Sequence, residues 1–231
     1  MSKGPLGFID AGQCEQGQPW LWDEAPQGHG GTLILAHGAG APMDSPFMQC
    51  VAQSLAARGV QVVRFEFAYM AQRRVDGRKR PPNPQAQLLQ QWREVYAQVR
   101  QQVAGPLAIG GKSMGGRMAS LLADELGAAA LVCLGYPFHA AGKPEKPRVA
   151  HLAELRTPTL IVQGERDALG NLQTVAGYNL SPAVELHWLP AADHDLKPLK
   201  ASGFTHEQHL DTTVRLIVDF LTADRARSQR R

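Results

Sequence analysis

Gly110-Gly111-Lys112-Ser113-Met114-Gly115-Gly116 holds the pattern G-x-S-x-G at residues 111–115, and its surroundings give the pattern meaning. Residues 107–110 are a short apolar run of the kind that forms a buried strand. From residue 113 to 126 the spacing becomes helical, and Gly127 stops it. A serine on a sharp strand-to-helix turn presents its hydroxyl clear of the backbone, on a strained turn. Strand and helix approach each other there, so the residues two places to either side must be nearly free of side chain. Glycine is doubled on both flanks. A bare G-x-S-x-G occurs by chance, but between a strand and a helix it marks a nucleophile.

Two phosphate-binding patterns overlap this region and fail. A P-loop reading of Gly111-Lys112-Ser113 needs its first glycine at Pro106, and the intervening residues are the strand LAIG. Gly38-Ala39-Gly40 opens a dinucleotide-like pattern whose third glycine place is Met43.

Further out, short apolar runs alternate with helical spacing. Strands are predicted at Thr32–Ala36, 61–67, 129–134, 158–162 and Val184–Leu189. Helices are predicted at 47–58, at 85–103 with Leu88, Leu89, Trp92, Val95, Tyr96 and Val99 spaced at three and four, and at 205–221 with Thr205 as N-cap. This βα alternation implies an α/β fold, a mostly parallel central sheet covered by helices on both faces. The segments 69–85 and 136–150 read as long loops, each following a strand.

A serine nucleophile needs a base, and the base needs an orienting acid. On an elbow of this kind the chain order is serine, then acid, then histidine. The strand at 158–162 leads into Gln163-Gly164-Glu165-Arg166-Asp167, and Asp167, beyond the glycine turn, is the candidate acid. Glu165 reads as a loop-stabilising charge. The strand Val184–Leu189 leads to Pro190-Ala191-Ala192-Asp193-His194, making His194 the base. Among other histidines, His187 lies within a strand, His206 and His209 read as solvated on the last helix, and His37 supports the first turn. His139, on a loop after a strand, is a candidate substrate contact. Backbone amides of Met114 and Ala39 are the expected oxyanion hole, with Gly40 second to Ala39.

The chain of 231 residues is within the range of one α/β domain, with a core at about 30–222 and a basic tail at 223–231 expected to be frayed. A hydrophobic share of 44% against 19% charged residues argues against disorder. The formal charge of +3 is concentrated in Arg73, Arg74, Arg78, Lys79 and Arg80 and in the tail residues Arg225, Arg227, Arg230 and Arg231. Without the tail the balance is near neutral, so no nucleic-acid partner is implied. Cys14, Cys50 and Cys133 show no CxxC spacing, which indicates neither disulfides nor a zinc site. Cys50 and Cys133 lie in apolar runs and read as core residues. Residues 1–10 lack the apolar stretch of a signal peptide, and no run approaches the ~18 residues of a membrane span. A cytoplasmic location, away from membranes, is the expectation.

HGAGAPMDSPFM, FEFAYM with its following arginines, GGKSMGGR, GYPFHAAGKPEK and ADHDLKP together resemble the small α/β-hydrolase-like family that includes testis-expressed protein 30 and the regulatory NSL complex subunit 3. Dienelactone hydrolases are a more distant likeness. The resemblance covers roughly residues 30 to 220 and implies an α/β-hydrolase fold with little or no cap domain. It carries the triad onto Ser113, Asp167 and His194. The expected activity is hydrolysis of an ester, thioester or related acyl bond, with no metal or organic cofactor. The alternative is a non-catalytic interaction module with a partner protein, the role the chromatin-associated relative suggests. Arg73, Arg74 and the other bases of the two long loops read either as ordinary solvated surface or as a positive rim that draws an anionic acyl substrate towards Ser113.

Overall fold

The structure, a computed structural model, describes residues 20–26 and 31–228, with side chains through residue 223. In chain order the elements are β1 (Leu21–Asp23), β2 (Thr32–Ala36), α1 (Pro46–Ala56), β3 (Gln61–Phe65), α2 (Ala68–Asp76), α3 (Gln85–Gln102), β4 (Leu107–Lys112) and α4 (Met114–Ser120). They continue with β5 (Leu131–Leu134), β6 (His139–Ala140), β7 (Lys143–Pro147), β8 (Thr159–Gly164), α5 (Leu172–Val175), β9 (Val184–Leu189) and α6 (His206–Ser228). Seven strands form one sheet in the order β1-β3-β2-β4-β5-β8-β9. All neighbours pair in parallel except β1, which adds to the β3 edge antiparallel.

Alternation along each strand divides the core in two. In β2, Leu33 and Leu35 point to one face, where they join Met48, Val51 and Leu55 of α1 and Leu210, Val214 and Ile217 of α6. Ile34 and Ala36 point to the other face and meet Trp92, Val95 and Val99 of α3 and Met118 of α4. Trp92 is fully buried and meets Phe65 edge-to-face at 4.8 Å between ring centroids. Because both faces are covered, β2, β4, β5 and β8 are buried at every position, so they read as continuous apolar runs and not as alternating ones. α6 starts on a reciprocal cap: Gln208 N–H donates to Thr205 Oγ1 at 3.1 Å, and Thr205 N–H donates to Gln208 Oε1 at 2.8 Å.

Four sequence expectations need correction. Residues 69–85 are not all loop: α2 occupies their first half, burying Tyr69 and Met70 and ending on Gly77 in the left-handed region at φ 69°. Its arginines obscure the apolar pair in the sequence. Residues 136–150 contain the β6–β7 hairpin, whose second strand, KPEKP, is exposed throughout and carries no alternation to betray it. The helix after Ser113 is shorter than its spacing suggests, ending at Ser120 and passing into turns. Cys50 is exposed on the outer side of α1, whereas Cys133 is buried. Cys14 lies outside the described residues, as do Arg230, Arg231 and the side chains of Arg225 and Arg227, although the tail backbone is helical through Ser228. No described helix is long and apolar enough to cross a membrane.

Candidate active site

The turns after β2, β4, β8 and β9 all leave the carboxyl edge of the parallel sheet, where such folds gather their chemistry. Ser113, between β4 and α4, has φ 50° and ψ −115°, a sparsely populated backbone conformation. The flanking glycines make the turn possible. A Cβ on Gly111 would lie 2.6 Å from the Ala36 carbonyl oxygen and 2.7 Å from the Gly115 backbone. One on Gly115 would lie 2.6 Å from the carbonyl oxygens of Ala36 and His37.

Three of the residues named from the sequence fall in one hydrogen-bonded line. Ser113 Oγ is 2.8 Å from His194 Nε2, and His194 Nδ1 is 2.8 Å from Asp167 Oδ2. Asp167 is fully buried, and every group around its carboxylate is a donor. Gln163 Nε2 donates to Oδ2 at 2.8 Å, and the Leu169 amide donates to Oδ1 at 2.8 Å. An ionised carboxylate only accepts, so His194 must carry its proton on Nδ1 and turn a lone pair towards Ser113. Gln163 is held in turn, taking the Tyr136 amide on Oε1 at 2.7 Å and donating to the Gly170 carbonyl at 3.0 Å. Glu165 accepts the Ala191 amide at 2.8 Å and so braces the loop that carries His194.

His37 is fully buried at the end of β2. Its Nδ1–H donates to the Gly38 carbonyl at 2.6 Å and its Nε2 accepts the Phe67 amide at 3.1 Å, while burial holds its pKa down. Tyr69 Oη donates to the Ala39 carbonyl at 3.0 Å. Together they fix the turn whose Ala39 lines the same cleft as Met114. Met114 opens α4, so its N–H has no intrahelical acceptor.

The cleft beside Ser113 has a volume of about 450 Å³. Ala39, Met114 and His139 line it, with Leu88, Met118 and Leu169 as apolar walls. Arg73 and Arg74 do not. Arg74 is held by Asp44 and Glu66, each at 2.6 Å, and Arg73 reaches only the Gly40 carbonyl at 3.4 Å. The arginines that line the cleft are Arg148, one of the bases of the segment 136–150, and Arg117 on α4, which the sequence reading did not name. His187 lies on the far side of β9, against α6. His209 is buried, not solvated, with Nδ1 3.2 Å from the Leu196 carbonyl oxygen, and His206 Nε2 is 3.0 Å from the Asp195 carbonyl oxygen.

A second serine–histidine pair needs separating from the first. Ser120 Oγ is 2.8 Å from His151 Nε2, but the hydroxyl already donates to the Arg117 carbonyl at 2.8 Å and is buried under the helix. Among the described residues no carboxylate orients His151, and burial together with the Arg117 charge pushes its pKa down to about 4. This pair is a structural tie between α4 and the loop before β8.

Fold and site geometry together define an α/β-hydrolase. A profile of the family described as alpha/beta hydrolase domain matches residues 29–222, and the chain belongs to that family. Solved structures agree on the fold. An alpha-beta serine hydrolase homologue from Coxiella burnetii is 18% identical, with 94% of this chain and 98% of that one covered at a TM-score of 0.67. A serine hydrolase without lid from Xanthomonas campestris is 20% identical, with 93% and 96% covered at 0.66. Dienelactone hydrolase from Anabaena variabilis is 18% identical, with 93% and 95% covered at 0.67. In this chain, too, the described residues insert no helical cap over the cleft; the β6–β7 hairpin and the segment leading into α3 border it.

Proposed function

We propose that this protein is a serine hydrolase that cleaves an ester, thioester or related acyl bond through an acyl-enzyme on Ser113. The observation that carries the reading is the Asp167–His194–Ser113 line, with both links at 2.8 Å, opening on a cleft bordered by the Ala39 and Met114 turns. His194 Nε2 takes the Ser113 proton as Oγ bonds to the carbonyl carbon. The carbonyl oxygen becomes an oxyanion held by the two amides, and the imidazolium returns the proton to the leaving group. Water then repeats the sequence and releases the acid. Asp167 remains the acceptor that stabilises the imidazolium throughout. The likeness of GGKSMGGR and DHDLKP to the testis-expressed protein 30 group supports placing the chain near that branch.

The test is a fluorophosphonate probe followed by peptide mapping. Labelling of the Ser113 peptide, blocked by a slowly hydrolysed ester, is the expected result. Ser120 is an internal control and should stay unlabelled. Absence of any label on folded protein would favour the non-catalytic module.

Lys112, just before the nucleophile, is part of the same arrangement, and nothing in the pattern of the sequence singles it out. Its Nζ donates to the His194 carbonyl at 2.7 Å, pairs with Asp195 at 3.2 Å and lies 5.7 Å from the centroid of the Phe47 ring. Burial lowers its pKa, against the pull of Asp195. Gly135 allows the approach, since a Cβ there would lie 2.7 Å from the same His194 oxygen. Lys112 therefore positions the loop bearing the base. Lys112→Met keeps the apolar stem but removes a charged hydrogen bond worth about 1.5–3 kcal/mol. If roughly half of that appears in the barrier, kcat falls about tenfold. KM should hold, and Lys112→Arg should recover part of the loss. An unchanged kcat in Lys112→Met would remove the positioning role.

A further inference from the structure

Arg117 stands four residues after Ser113, in the first turn of α4, and its amide donates to the Ser113 carbonyl at 3.0 Å. It lines the cleft that opens on Ser113. Its guanidinium faces no carboxylate: Nη2 donates to Gln85 Oε1 at 3.1 Å, and its buried Nε has no partner among the described residues. Arg148 enters the same lining from the end of the β6–β7 hairpin. Its main chain is fixed, the amide donating to Phe138 at 2.6 Å and the carbonyl accepting Tyr136 Oη at 3.1 Å. Its guanidinium is exposed and has no ion-pair partner among the described residues.

Most other described arginines are held: Arg58, Arg64, Arg74, Arg80, Arg93, Arg156 and Arg215 each meet an aspartate or glutamate, and Arg73, Arg100 and Arg166 meet main-chain carbonyls. In the cleft two arginines share one lining, with no acidic side chain among the residues around them. Burial lowers the Arg117 pKa, and the Arg148 charge lowers it further against a contribution from Tyr136. Two cations on one cleft lining, with no acidic side chain beside them, are what a bound anion would complete.

We propose that Arg117 and Arg148 form a carboxylate-binding subsite, and that the substrate is an ester or thioester carrying a second, anionic group that pairs with them. This rests on Ser113 being the nucleophile, and it replaces a diffuse basic rim with two named residues. The free carboxylate can belong to the acyl part or to the leaving group. Both place the same chemistry against the same fork.

The experiment compares each carboxylate with its neutral carboxamide in two arms. One arm uses the monomethyl esters of C4 to C6 dicarboxylic acids. The other uses O-acetyl esters of hydroxy acids of similar length. The readout is the ratio of kcat/KM for acid over amide within each protein, so an overall loss of activity cancels. In one arm the ratio should be about 10- to 100-fold in the unaltered protein at low salt. It should fall towards one in Arg148→Gln, which alters an exposed side chain, and in Arg117→Gln. A ratio near one in both arms, with the carboxamides hydrolysed and Ser113 still labelled, overturns the subsite and leaves the hydrolase reading standing. So does a ratio that collapses in Arg73→Gln but survives in Arg148→Gln, which would move anion recognition to α2. No turnover of any ester and no label overturns both readings together.

Discussion

Ser113→Ala is expected to abolish fluorophosphonate labelling and to lower kcat for an activated ester by about 10⁴-fold or more. The stability of the same position supplies a second, independent expectation. Ser113 is held at φ 50° and ψ −115°, and a residue in so sparsely populated a region costs about 1–3 kcal/mol. Alanine removes the hydroxyl and its 2.8 Å contact with His194, a loss of about 1 kcal/mol, but it keeps the Cβ and therefore the strain. Glycine loses the same contact and relieves the strain, at an entropic cost of about 0.5–1 kcal/mol. Ser113→Gly should therefore be more stable than Ser113→Ala by about 1 kcal/mol, while both are inactive. Chemical denaturation monitored by circular dichroism measures the difference. Activity surviving in either variant would end the assignment of Ser113 as nucleophile. A glycine variant less stable than the alanine variant would show that the turn is not strained.

The core of the fold is legible in the sequence because β2, β4, β5 and β8 are buried on both faces and so appear as uninterrupted apolar runs. The α3 pattern is equally plain, since its apolar residues recur at three and four and most positions between them are glutamine, glutamate or arginine. What escapes is what hydrophobic pattern does not control. The three-residue β1 is too short to show a period, and α2 hides two buried residues among arginines. The second strand of the β6–β7 hairpin is exposed at every position and shows no apolar alternation. The order of Ser113, Asp167 and His194 can be read because each follows a recognisable strand. Lys112, Gln163 and Arg117 act through contacts made across the chain. Lys112 reaches His194, 82 positions on, and no local spacing encodes such a meeting. The arginines make the same point in reverse: Arg73 and Arg74 look like one feature with Arg78 and Arg80 until Asp44, Glu66 and Asp76 are seen to neutralise part of it.

Asp167→Asn is expected to cost about 10⁴-fold in kcat, nearly as much as loss of the nucleophile, although it changes one atom. The reason lies in the donors around the carboxylate. Oδ2 receives His194 Nδ1 and Gln163 Nε2, and Oδ1 receives the Leu169 amide. An asparagine has only one accepting oxygen to offer to these two positions. Gln163 cannot turn over to help, because its Oε1 is held by the Tyr136 amide and its Nε2 faces the Tyr136 and Gly170 carbonyls. If the asparagine oxygen faces His194 and Gln163, its NH₂ is driven against the Leu169 N–H. If the oxygen faces Leu169, its NH₂ points at His194 and Gln163. The imidazole can then pair only by shifting its proton to Nε2, where it donates to Ser113 and cannot take the serine proton. The first arrangement sets two donors against each other in a fully buried place, at about 1–3 kcal/mol, and the second lets the imidazole adapt. The wrong tautomer should therefore dominate, since Gln163 Nε2 keeps the Tyr136 and Gly170 carbonyls as acceptors, and the unfolding free energy should fall by about 1–3 kcal/mol from the lost hydrogen bonds to the carboxylate. Steady-state kinetics and denaturation of the same preparation measure both effects. Activity within tenfold of the unaltered protein would mean that Asp167 does not orient His194, and would turn attention to Glu165, which braces the same loop through the Ala191 amide.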